Sequence, residues 1–195
     1  MSMRQDVWAS LRGYVALAVL FGGIYSLFVL GVGQLFFNHT ANGSLVSYHG
    51  RVVGSSEIGQ AFSGPQWFWG RPSATTGANG KPQPYNADNS GGTNYGPTNP
   101  ALIQEIKANM KLYKGIPPSK IPPDLVESSA SGLDPDITPQ SALIQVPRVA
   151  AARHVSQASL DALIARYTRR PWLGMYGAAR VNVLELNLAL ANGAK

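Results

Sequence analysis

The sequence predicts a single N-terminal transmembrane helix followed by a mixed α/β extracytoplasmic domain with a small sheet and a long ordered loop. Three observations predict this arrangement. Residues 13–37 contain no charged side chain, residues 64–100 are rich in glycine, proline and asparagine, and helix-capping signals alternate with short apolar runs elsewhere. The 195-residue chain has room for one domain after the helix, and is too short for two ordinary ones.

The uncharged stretch at residues 13–37 exceeds the roughly 20 apolar residues that a helix needs to cross a bilayer. Backbone inside lipid must satisfy its own hydrogen bonds, which favours a helix despite the glycines here. A cleavable signal peptide has a shorter apolar region, of roughly 7–15 residues, and a small-residue cleavage site. Because this stretch continues through Phe36 and Phe37, an uncleaved membrane anchor is favoured.

Positive charge around the anchor predicts its orientation. Arg4 and Arg12 precede the apolar stretch, and the next basic residue after it is Arg51. The positive-inside rule therefore predicts that residues 1–12 form a cytoplasmic N-terminus. Residues 38–195 then form the extracytoplasmic domain.

Three small residues, Ala18, Gly22 and Ser26, recur at every fourth position of the anchor. Such a stripe lets another membrane helix approach closely, so we interpret these residues as a helix-packing face. The alternative is that the stripe has no partner, because glycine and alanine are common in membrane helices.

The net charge of +6 is concentrated in the last third of the chain, after residue 136. Such a basic surface could bind lipid phosphates or an acidic partner. The alternative is a solvated helix face that binds no ligand. An extracytoplasmic location argues against nucleic acid as a ligand. The basic residues concerned are Arg148, Arg153, Arg166, Arg169, Arg170, Arg180 and Lys195.

Two segments predict strands by their apolar alternation. Residues 45–53 are typical of a hairpin or of one bulged strand, and residues 180–190 are typical of a strand with one slip in its alternation. These segments supply the small sheet.

Cap and turn residues predict the helical segments. Asn99-Pro100 begins the clearest helix, which Gly115 follows. The others are a short turn of helix at residues 55–61, one turn at residues 124–126, a helix from Thr138-Pro139 that Pro147 either kinks or ends near Val146, and a helix from Ser156 that Pro171 stops.

The segment at residues 64–100 has almost no aliphatic side chain. Loops this long are uncommon in compact domains and indicate either function or disorder. Trp67, Trp69 and Tyr85 offer large apolar surfaces that a solvated linker does not need. We therefore expect an ordered loop draped over the domain and completed by a partner.

No catalytic or metal-binding constellation is evident. The chain has no cysteine, its three histidines share no short spacing, and it lacks a Walker loop and a G-x-S-x-G elbow.

Asp134 and Asp136 form the densest acid pair, which suits a cation or acid–base chemistry. Because they immediately precede a helix start, turn and cap roles are favoured. Ser90-Gly91-Gly92 similarly suits an anion-binding turn, but a plain turn is favoured.

The domain contains a series of short motifs, namely Gly70-Arg71-Pro72-Ser73-Ala74, Tyr85-Asn86-Ala87, Ser90-Gly91-Gly92-Thr93-Asn94, Pro123-Asp124-Leu125-Val126, Ser131-Gly132-Leu133-Asp134-Pro135 and Arg180-Val181-Asn182-Val183-Leu184. In this order and spacing they resemble the C subunit of the Kdp potassium-transporting P-type ATPase. One departure is Gly177-Ala178-Ala179, where the family commonly has a Gly-Glu-Pro-like turn.

The resemblance implies a non-catalytic accessory subunit of the cell inner membrane. Its partners would be a channel-like potassium-translocating subunit and a P-type ATP-hydrolysing subunit, which handle potassium and ATP, so no cofactor is expected on this chain. The family's C subunit is described as a catalytic chaperone that raises ATP affinity, an effect that the predicted topology makes indirect. The expected partner-contact loop comprises Trp67, Trp69, Arg71, Tyr85, Asn86, Ser90, Gly91, Gly92 and Asn94.

Two other functions remain open at the level of the sequence. The first is a membrane-tethered extracytoplasmic hydrolase with its site in the loop and near Asp134 and Asp136. A deep pocket joining those regions would favour it. The second is an extracytoplasmic potassium-capture module built from loop carbonyls and carboxylates.

Overall fold

The structure is a computed structural model that describes residues 2–193. Lys195, named above among the basic residues, lies outside the described part. Backbone contacts divide the chain into two units with their border between Leu45 and Val46. Each unit is described by itself.

The first unit is dominated by helix α1, Met3–Phe36, which confirms the predicted helix and extends it towards the N-terminus. None of the apolar window of α1 is buried, and its central segment, Ala18–Tyr25, has the wider hydrogen-bonding pattern of a π-helix. At 1.5 Å per residue α1 is about 50 Å long, compared with roughly 30 Å of bilayer hydrocarbon. The helix is thus long and apolar enough to cross a membrane.

Helix α1 ends in a cluster of side-chain amides. Phe37, with φ −132°, leaves the helical conformation, and the short helix α2, Asn38–Ala41, follows. Asn38 and Asn42 both donate to the Gln34 side-chain carbonyl at 3.0 Å. These bonds fix the turn between α1 and α2 where the apolar stretch gives way to polar sequence.

Strands β1, Leu45–Tyr48, and β2, Arg51–Ser55, form a hairpin, which confirms the hairpin alternative. The two turn residues, His49 and Gly50, both have positive φ, at 49° and 76°, as a type I′ turn requires. The helical turn predicted at residues 55–61 was wrong. The Gly59 N–H donates to the Leu133 carbonyl at 2.8 Å instead of to a helical partner.

Five helices and three short strands build the rest of the described domain. The strands β3, β5 and β4 pair antiparallel in that order, so the predicted mixed fold with a small sheet is confirmed. The bounds are α3, Pro100–Met110; β3, Asp136–Ile137; α4, Pro139–Leu143; α5, Val146–Arg153; α6, Gln157–Tyr167; β4, Thr168–Arg169; β5, Arg180–Asn182; and α7, Val183–Ala191. One 3₁₀ turn, Pro123–Leu125, confirms the turn predicted there.

Helix starts were predicted better than helix ends. Asn99 and Ser156 cap α3 and α6 with their side-chain oxygens, as expected. Helix α3 nevertheless ends before Gly115, because the next three N–H groups bond three residues back in tighter turns. The helix from Thr138 stops at Leu143, before Pro147, and Pro147 lies in the first turn of a separate helix, α5, where a kink or an end was predicted.

The strand predicted at residues 180–190 was largely wrong. Only Arg180–Asn182 is strand, and helix α7 follows at once. The Asn182 side chain accepts from the Glu185 N–H at 3.1 Å, which caps α7. Because α7 is buried on nearly every side, its apolar residues show no helical stripe, and the pattern did not distinguish helix from strand.

The buried side chains form two clusters, and the long loop contributes neighbouring residues to both. Phe68 belongs to the larger cluster, with residues of α5, α6, α7 and the three-stranded sheet. Trp69 packs against the smaller cluster, which contains Tyr113, Leu125 and Val126. The loop is therefore part of the core of the domain.

Candidate functional site

The first anchor of the long loop (residues 64–100) is the side-chain amide of Asn187 on α7. Its oxygen accepts from the Phe68 N–H, and its nitrogen donates to the Phe68 carbonyl, both at 2.9 Å. Asn187 is 1% exposed and Phe68 is fully buried. One amide thus satisfies both backbone groups of a residue that enters the core.

Gln145, in the turn between α4 and α5, does the same for the next loop residue. Its oxygen accepts from the Trp69 N–H at 2.8 Å, and its nitrogen donates to the Trp69 carbonyl at 3.0 Å. Together, Asn187 and Gln145 form what we call the amide clamp. The clamp replaces the strand partner that this stretch of loop lacks.

Two arginines of α5 also hold the loop. Arg148 donates to the carbonyls of Pro65 and Trp67 at 2.8 and 2.9 Å, and its guanidinium lies 3.6 Å from the centre of the Trp69 ring. Burial lowers the pKa of Arg148 to about 10. Arg153 donates to another loop carbonyl and stacks on Trp67 at 4.4 Å. These two members of the basic C-terminal third bind the loop, which neither interpretation of that charge anticipated.

Arg71 and the acid pair form the next group. Arg71 lies 3.0 Å from the Asp134 carboxylate, whose other oxygen accepts from the Asp136 N–H at 3.0 Å. Asp136 pairs with Arg180 at 2.9 Å, and burial raises the pKa of Asp136 although Arg180 acts in the opposite direction. Each carboxylate therefore has its own arginine, and Asp134 closes a local turn. These contacts favour the structural interpretation of the pair.

Tyr85 and Asn86 fix the middle of the loop onto its own beginning. The Tyr85 hydroxyl donates to the Arg71 carbonyl at 2.6 Å, and its backbone N–H donates to the Ser73 hydroxyl at 2.9 Å. Asn86 donates to the Thr76 carbonyl at 2.8 Å. The loop is consequently ordered by contacts within the domain.

The Ser90-Gly91-Gly92 turn also faces the protein. The Gly91 N–H and the Ser90 hydroxyl both donate to the Ser131 carbonyl, at 2.8 and 3.1 Å. A Cβ on Gly92 would lie 3.0 Å from the Ala130 carbonyl oxygen. Since the Gly91 donor is already engaged, the geometry favours a plain turn over an anion cradle.

The nine predicted contact residues therefore fall into two groups. Ser90 and Asn94 are exposed, whereas the other seven are at least partly covered by the domain. Contact with a partner stays a prediction for all nine. Sequence reasoning missed the residues that position the loop, Asn187 and Gln145, although an amide inside the apolar run of α7 was a usable signal.

A cavity of about 370 Å³ lies beside the loop and is lined by Arg71, Tyr85 and Tyr113 among others. A smaller one, of about 220 Å³, contains Asp134 and Asp136. Arg71 lines both, and its ion pair engages the carboxylate that a hydrolase would use. Among the described residues no group of three or more histidine, cysteine or acidic side chains is placed to hold a metal ion.

Tyr85 makes a contribution to the stability of the loop that is lost at alkaline pH. Burial, together with the charge of Asp134, raises its pKa from 10.0 to about 12. The folded state therefore holds this proton more tightly than the unfolded chain, so the contribution is full below pH 10 and is lost as pH rises through 12. Between pH 9 and 12, we expect the free energy of unfolding of the Tyr85→Phe variant to fall by about 2 kcal/mol less than that of the wild type. Urea unfolding measures the difference. Identical pH dependence in the two proteins would contradict this contribution.

The family profile described as KdpC, K⁺-transporting ATPase, c chain, matches residues 7–192, which include both α1 and the domain. Curated relatives carry the name potassium-transporting ATPase KdpC subunit. The protein of Paraburkholderia xenovorans (strain LB400) is 51% identical over 180 residues, 91% of each chain. That of Dechloromonas aromatica (strain RCB) is 46% identical over 185 residues, 93% of this chain and 94% of the relative. The chain thus belongs to the KdpC family.

Proposed function

We propose that this chain is a non-catalytic accessory subunit of an ATP-driven, high-affinity potassium uptake complex, needed for assembly, stability and activity of the pump. Its partners are a channel-like potassium-translocating subunit and a P-type ATP-hydrolysing subunit, which handle potassium and ATP. The observation that carries the proposal is the family match over residues 7–192, because it spans the apolar helix and the domain together.

In the proposed arrangement α1 crosses the inner membrane once, with residues 1–12 in the cytoplasm and residues 38–195 outside it. The position of Arg4 and Arg12 before the apolar stretch supports this orientation. ATP and the domain then lie on opposite sides of the bilayer. Any effect of this chain on ATP affinity is therefore transmitted through the membrane-embedded subunits.

The proposed contact in the membrane is the stripe of Ala18, Gly22 and Ser26. A Cβ built on Gly22 meets nothing within 4 Å in this chain. The fold of the chain itself therefore does not require glycine at this position, whereas close approach of a second helix would.

Outside the membrane, the long loop rests on the channel-like subunit. The amide clamp fixes its beginning, and the bond from the Ser90 hydroxyl to the Ser131 carbonyl holds the exposed Ser90 against the domain. Asn94, which is also exposed, donates to the Gly92 carbonyl at 3.3 Å. A loop ordered before binding loses little conformational entropy when a partner covers it. This arrangement suits stabilisation of the complex or gating of ion entry.

Purification in mild detergent through a C-terminal tag tests the proposal. We expect a channel-like chain and a P-type ATPase chain to accompany the wild type, and Gly22→Leu to reduce their recovery several-fold. Gly23→Leu is the matched control, because its Cβ also meets nothing within 4 Å and it lies off the stripe. A chain that purifies alone would contradict the proposed function, and equal recovery of both variants would contradict the packing face.

A further inference from the structure

The segment between β4 and β5 forms a small projecting hairpin. Trp172 and Tyr176 exchange backbone hydrogen bonds, at 2.9 Å in each direction, and their rings lie 5.7 Å apart. The four large apolar side chains of this segment are 60–72% exposed. We call Trp172, Leu173, Met175 and Tyr176 the aromatic tip.

The backbone of the tip does not favour its own sequence. Leu173 and Gly174 have φ values of 51° and 75°, as in a type I′ turn, where asparagine or glycine is preferred at the first central position. A leucine seldom adopts this left-handed conformation. Its side chain is also 69% exposed, so packing within the chain does not explain it.

The segments that flank the tip along the chain are rich in arginine. Arg169 pairs with Glu185 and Arg180 pairs with Asp136, whereas Arg166 and Arg170 are exposed and take part in none of the ion pairs among residues 2–193. The acidic side chains on α6 and α7 are Asp161 and the already paired Glu185. The segments that flank the tip therefore carry a net positive charge.

A short covalent tether joins α1 to β1. Only residues 37–44 separate α1 from β1, and a fully extended chain of that length spans at most roughly 28 Å. The start of β1 is thus tethered within that length of the end of α1, the helix proposed to cross the bilayer. Tryptophan and tyrosine favour the membrane–water interface, and arginine binds phosphate groups through two parallel hydrogen bonds.

We propose that the aromatic tip inserts into the interface of an anionic phospholipid bilayer, with Arg166 and Arg170 bound to lipid phosphates. Leu173 and Met175 then reach the acyl chains, while Trp172 and Tyr176 lie at the level of the headgroups. The inference needs the membrane anchor and is independent of the partner subunits' identity.

A spin label at a single cysteine tests this insertion, because the chain has no cysteine of its own. The full chain with its copurifying subunits carries Met175→Cys, or Leu112→Cys as the control, since Leu112 is also an exposed apolar residue at 57%. Both are placed in vesicles of phosphatidylglycerol and phosphatidylethanolamine. We expect the Met175→Cys label to be several-fold less accessible to a water-soluble nickel chelate, and more accessible to oxygen, than the control.

The charge component has a separate readout. Adding Arg170→Gln to Met175→Cys is expected to lower the ratio of inserted to exposed label about fivefold, and phosphatidylcholine vesicles should also lower it. Equal nickel accessibility at the two labelled sites in anionic vesicles would overturn the proposal. Shielding from the nickel chelate without a gain in oxygen accessibility would also overturn it, since a protein partner and not acyl chains would then cover the tip.

Discussion

Replacing Asn187 with leucine is expected to lower the free energy of unfolding by about 4 kcal/mol. Leucine has a similar volume but cannot bond the Phe68 N–H and carbonyl, both of which the Asn187 amide satisfies at 2.9 Å. Because the site is buried, no water replaces the lost partners, and each unsatisfied group costs about 1–3 kcal/mol. Urea unfolding followed by tryptophan fluorescence measures the change.

Asn86→Leu is the matched control, because the Asn86 amide bonds backbone groups nearer the surface. We expect it to cost about 1 kcal/mol. Limited proteolysis supplies a second readout, in which Asn187→Leu is cleaved within residues 64–100 faster than the control. A loss below 1 kcal/mol for Asn187→Leu, with unchanged cleavage, would show that the amide clamp does not hold the loop.

Replacing Gly132 with alanine is expected to destabilise the domain by about 3 kcal/mol. A Cβ at this position would lie 2.6 Å from the Thr75 methyl group and 2.7 Å from the Gly91 carbonyl oxygen. The φ of +67° is also one that residues other than glycine rarely adopt. The backbone of the Ser90-Gly91-Gly92 turn would therefore have to move away from residues 131–132.

Gly115→Ala separates the two causes. Gly115 has φ +81°, but its Cβ would meet nothing within 4 Å, so this variant pays only for the backbone conformation, about 1 kcal/mol. The difference between the variants in denaturant unfolding measures the close approach of the loop. Equal losses would contradict the packing described for this turn.

Local chemistry explains which parts of the fold could be predicted from the sequence. The uncharged run at residues 13–37 and the caps Asn99 and Ser156 each predict a helix, because each signal acts on adjacent backbone. Helix α7 has no one-sided apolar stripe, because the core surrounds it. Its cap at Asn182 lies within an alternating pattern that is typical of a strand. The end of α3 is set by tighter turns at residues 111–113, for which the sequence has no characteristic residue.

The candidate site was predictable only in outline. Aromatic residues in a glycine- and proline-rich segment indicated an ordered loop, and the structure confirms its order. The clamp could not be predicted, because Asn187 and Phe68 are 119 positions apart and Gln145 and Trp69 are 76 apart. Arg148 and Arg153 were read as surface charge for the same reason. Only the folded chain brings them to loop carbonyls.

Potassium-stimulated ATP hydrolysis tests the proposed accessory role in the pump. Membranes containing the two partner subunits are compared with and without this chain, in cells that lack any other copy of it. We expect stimulated hydrolysis and potassium uptake to be lost without the chain and to return when it is expressed. Hydrolysis and uptake that stay unchanged in its absence would contradict an accessory role in the pump.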